Sequence, residues 1–88
     1  MLQLPGQDLI DAGLEDLARG RESIPALLVS IGAPRLRRLG LEVPSPVPEP
    51  ERRLYELLVH EYADAAHSRY NALIRRLVSF ERTAECAR

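Results

Sequence analysis

Residues 51 to 86, "ERRLYELLVHEYADAAHSRYNALIRRLVSFERTAEC", contain neither glycine nor proline. Across them apolar or aromatic residues recur at Leu54, Leu58, Tyr62, Ala66, Tyr70, Leu73, Leu77, Phe80 and Ala84, and every step is three or four. That spacing has the period of a helix and not of a strand. Leu57, Ala65, Ile74 and Val78 widen the stripe, and Glu49 with Arg53 forms an acid-before-base pair at its start. With no breaker near its midpoint the segment reads as one amphipathic helix, about 55 Å long at 1.5 Å per residue. The alternative is a break near Asp64, which can cap a second helix and make the segment a hairpin.

The residues ahead of it supply short helices. After a Pro5-Gly6 turn, Asp8 is an expected N-cap, Ile10, Leu14 and Leu17 fall at helical spacing, and Gly20 is a stop. Ser23 caps a second helix in which Pro25 sits in the first turn and Ile24, Leu27, Leu28 and Ile31 share a face. Gly32 and Pro34 are expected to close or kink it, leaving "PRLRRLG" as a further short helical piece with Leu36 and Leu39 inward and Gly40 as its end. The alternating prolines of "PSPVPEP" then remove every second backbone donor, so the segment reads as an extended spacer of roughly 20 Å in polyproline geometry. A connector is the simpler reading than a ligand for a proline-recognition domain. The expected fold is all-α and one domain over residues 1–88: short N-terminal helices in 1–40, a Pro-rich linker in 41–50 and a long C-terminal amphipathic helix in 51–86, packed as a helical bundle.

A chain of 88 residues buries a thin core. A first helix covering about 18 Å cannot hide an apolar stripe three times as long. The sequence therefore leads us to expect a homodimer, with Leu73, Ile74, Leu77, Val78 and Phe80 as the interaction face, because symmetric dimers bury such stripes most simply. An unidentified protein partner is the other candidate occupant. A monomer whose long helix breaks and folds back is the alternative.

Charge excludes a global attraction to nucleic acid or anionic lipid: twelve basic residues face thirteen acidic ones, for a formal charge of −1. "DLARGRESIPALLVSIG" has the outline of a helix-turn-helix, but its second helix offers hydrocarbon where base-reading side chains belong. That helix reads as core. The alternative function is a DNA-binding regulator that uses Arg35, Arg37 and Arg38 on phosphates. No phosphate-cradling glycine loop or nucleophile elbow is present, Cys86 has no histidine near it in sequence, and no residue set calls for a cofactor. The chain is expected to be non-catalytic. No run approaches the roughly 18 consecutive apolar residues that crossing a bilayer requires, and "MLQLPGQDL" does not read as a signal. One cysteine and an all-arginine basic set point to a cytoplasmic protein of a GC-rich bacterium.

The stretch "HEYADAAHSRYN", residues 60 to 71, holds both histidines. On a continuous helix His60, Asp64, His67 and Asn71 share one narrow stripe, with ligand types that suit zinc. The histidines would still stand about 10.5 Å apart along the axis, too far to share one ion through bonds of about 2 Å. The expectation is a solvated polar face and no metal, unless these residues join a site across an interface.

Overall fold

The computed structural model describes residues 4–87. Helix α1 spans Gln7–Ala18, α2 Ile24–Arg38, α3 Pro50–Tyr62 and α4 Ala66–Cys86, with one turn of 3-10 helix at Ala63–Ala65 joining the last two. No strand occurs among the described residues, and the helices pack on one another as an all-α bundle.

Helix α2 is the centre. Ala26, Leu27, Leu28 and Val29 have no exposed surface, although four consecutive residues point around the whole helix. A helix apolar on all sides must be surrounded, and α1, α3 and α4 surround this one. Ser23 begins it as expected: its hydroxyl accepts the Ala26 N–H at 3.1 Å and donates to Asp16 at 2.6 Å, which ties the start of α2 to the end of α1. The expected stop at Gly32 and Pro34 does not occur. Helix α2 runs through both to Arg38, so "PRLRRLG" is its last turns and not a separate piece. Proline inside a helix costs about 3 kcal/mol, but continuing the helix carries Ala33 and Leu36 into the core. Helix α1 also begins differently from expectation, on Gly6 in a left-handed conformation, while Asp8 lies in the first turn and pairs with Arg76 at 3.0 Å.

The Pro-rich segment is docked along the bundle and is no free spacer. Val43 is buried, its carbonyl accepts from Arg37 at 2.8 Å, and the Val47 N–H donates to the Ser30 hydroxyl at 3.0 Å. These bonds satisfy polar groups that packing the segment against the bundle would otherwise leave unpaired.

The continuous helix expected over residues 51–86 is interrupted. Ala63 adopts φ 47 and ψ −112, and the chain turns back, so that α3 and α4 pack against each other and against α2. The long axis of the molecule is 38 Å, shorter than the helix expected from sequence. Burial explains the break: folding back places Leu54, Leu58, Ala66, Leu77 and Phe80 together in one core with α2, where a straight helix would leave part of that stripe in water. Exposed ion pairs hold the edges, Arg53 with Glu22 at 2.7 Å and Arg35 with Glu85 at 2.8 Å.

Candidate interaction surface

The residues expected to form the interaction face are largely occupied within the chain. Leu77 and Phe80 are in the core, Leu73 and Ile74 pack against it, and Val78 is half-buried. The large hydrophobic side chains left exposed among the described residues lie elsewhere: Tyr55, Val59 and Tyr62, at 39%, 46% and 37% of their full accessibility. All three are on α3 at i, i+4 and i+7, which places them in one line. The buried Leu54 and Leu58 precede Tyr55 and Val59 by one residue each, so the exposed line runs beside the core-facing one.

Helix α4 braces this line. The Tyr55 and Tyr70 rings meet edge to face with centroids 5.7 Å apart, and the Arg69 guanidinium lies 4.2 Å from the centre of the Tyr62 ring. Burial and the nearby Glu51 charge push the Tyr70 hydroxyl up from its ordinary pKa. Below Tyr62 a cleft of about 220 Å³ opens between the first turn of α2, the end of α3 and the middle of α4.

The arginines of the DNA-binding alternative are engaged. Arg35 reaches Glu85 at 2.8 Å and Glu81 at 3.5 Å, Arg37 donates to the Val43 carbonyl, and Arg38 also has a partner within the chain. Glu81 is 4% exposed at the α2–α4 contact, and its burial raises its pKa more than Arg35 lowers it. Glu85 is shifted the other way, chiefly by the hydrogen bond from Arg35.

The histidine stripe does not survive the break. His60 is on α3, Asp64 in the 3-10 turn and His67 on α4; all are exposed, and His67 Nε2 lies 3.3 Å from the Asn71 amide. Among the described residues no group of three or more His, Cys, Asp and Glu is placed to hold a metal ion. No helix among them is long and apolar enough to cross a membrane.

Sequence reasoning passed over Val59 because it lies off the spacing that marks the core. An apolar residue four positions after Tyr55 and flanked by His60 was the available signal. Comparison with known protein families, with curated proteins and with solved structures finds no match for this chain.

Proposed function

We propose that the protein is a small non-catalytic interaction module that pairs with a second copy of itself through the exposed line of α3. The observation that carries this reading is the alignment of Tyr55, Val59 and Tyr62 on one helix. Exposed hydrophobic residues scattered singly need no explanation, whereas a line at i, i+4 and i+7 is the pattern by which a helix meets an apolar partner. A two-fold axis across α3 sets Tyr55 of one copy against Val59 of the other, and Val59 against Tyr55 in return. Glu51, Arg52 and Glu56 border the line with both signs of charge, so an antiparallel copy can bring acid opposite base. A net charge of −1 adds almost no repulsion between copies.

The face differs from the Leu73 to Phe80 segment because that segment serves the chain's own core. DNA binding through Arg35, Arg37 and Arg38 is the weaker reading, since carboxylates and a carbonyl already satisfy the first two. The lone free cysteine, Cys86, suits a reducing cytoplasm. Light scattering of the wild type at tens of micromolar is expected to give about twice the 9.9 kDa chain mass. Val59→Arg, on an exposed position that leaves the core intact, is expected to give one chain mass with unchanged helicity. A wild type at one chain mass at every concentration overturns the reading.

A further inference from the structure

The cleft beside Tyr62 has a chemistry that the α3 line lacks. Ile24, Leu58 and Leu73 form an apolar floor, and Tyr62, Arg69 and Arg76 stand at its rim. Arg69 and Arg76 are seven residues apart on α4, so they project from nearly the same side of that helix and are about 10.5 Å apart along it. Among the described residues no carboxylate lies within ion-pair distance of Arg69, whose guanidinium is held against the Tyr62 ring. Arg76 has one carboxylate partner, Asp8, in a pair whose two side chains are 48% and 67% exposed. Two guanidiniums against one carboxylate leave the rim positive in a chain that is otherwise slightly negative.

Size and charge together narrow what fits. At about 220 Å³ the cleft is smaller than the roughly 300–1,000 Å³ typical of sites for small-molecule ligands. It has room for one large side chain. We propose that the cleft takes a segment of a partner polypeptide in which a leucine-sized side chain sits beside acidic residues. The side chain enters between Leu58 and Leu73, and a neighbouring carboxylate meets the guanidinium of Arg69. An arginine presents a planar fork that matches a carboxylate, and stacking on Tyr62 holds that fork in place before the partner arrives. A phosphate backbone would use the rim but gain nothing from the floor, which favours a peptide over a nucleic acid.

The test is a titration of the full 15N-labelled chain, followed by amide shifts, with the acetylated and amidated peptide Glu-Glu-Leu-Leu-Glu-Glu. Three comparison ligands replace the acids by lysine, replace the leucines by serine, or substitute an oligothymidylate for the peptide. The acidic leucine peptide is expected to shift Tyr62, Arg69, Leu73 and Arg76 with sub-millimolar affinity, and each comparison ligand to bind at least about tenfold more weakly. Arg69→Glu is expected to weaken binding about tenfold or more, and Arg69→Gln by less, because reversing the charge repels the carboxylate that neutral glutamine only fails to attract. Arg75→Glu makes the same charge change about 100° further round α4 from Arg76 and should alter affinity less than twofold. Repeating the titration on Val59→Arg keeps the result separate from self-association, since residue 59 does not line the cleft. Absence of shifts around the cleft overturns the proposal, as does equal binding of the lysine or serine peptide, tighter binding of the oligothymidylate, or equal losses in Arg69→Glu and Arg75→Glu.

Discussion

Gly13 lies directly on the backbone of Pro25: a Cβ at position 13 would stand 2.3 Å from the Pro25 carbonyl oxygen and 2.5 Å from Val29 Cγ2. Helix α1 therefore reaches the first turn of α2 only because residue 13 has no side chain. Intrinsic helix propensity would favour alanine there by about 1 kcal/mol. Packing against backbone reverses the sign. Gly13→Ala is expected to lower stability by about 1–3 kcal/mol, read as a lower urea midpoint at unchanged slope. A variant as stable as wild type would mean that α1 does not sit so close.

The turn at Ala63 offers a test whose sign separates a hairpin from a straight helix. A non-glycine residue at φ 47 and ψ −112 is strained, and glycine removes that strain. Ala63→Gly is expected to stabilise the chain by about 1 kcal/mol, or roughly 4–8 °C in Tm for a domain of this size. In the middle of a continuous helix the same change would cost about 1 kcal/mol. A lower Tm would contradict the break.

Glu81 and Glu85 should give opposite pH dependences although both face Arg35. Burial raises the pKa of Glu81, so its stabilising contribution is complete below the ordinary value of 4.5 and is lost as pH rises through the folded value. Arg35 lowers the pKa of Glu85, so that contribution is present above 4.5 and is lost as pH falls through the lowered value. Thermal melts of Glu81→Gln should match or exceed wild type by a few degrees at about pH 8, with the advantage closing below about 4.5. Glu85→Gln should melt lower than wild type at about pH 8 and converge with it in acid. Parallel pH profiles for the two variants would contradict this arrangement of charges.

The period of three and four in residues 51–86 made the helical class legible, and Ser23 made the start of α2 legible, because both signals are local. The break at Ala63 falls beside Asp64, where the hairpin alternative placed it, but Asp64 caps neither helix and neither glycine nor proline is there; the turn forms because the two halves of one apolar stripe gain more by meeting across α2 than by lying straight. Pro34 misled in the opposite direction. Its local preference to end a helix is overridden by the burial of Ala33 and Leu36. The interaction residues named from sequence inherited the assumption of a straight helix, and so fell on Leu77 and Phe80, which the fold consumes. Helical register with Tyr55 was a sequence signal for Val59, but its exposure follows from the core-facing side of α3, which the fold fixes.

If α3 of one copy meets α3 of another, an isotope-filtered NOE experiment detects that contact without interference from contacts inside one chain. A sample mixing 13C-labelled and unlabelled chains at several hundred micromolar reports only contacts between copies. Cross-peaks are expected from the Val59 methyl groups of one copy to the Tyr55 or Tyr62 ring protons of the other, and should be lost in Val59→Arg. Intermolecular peaks confined to other residues, or none in a sample whose mass is that of one chain, would contradict the α3 contact.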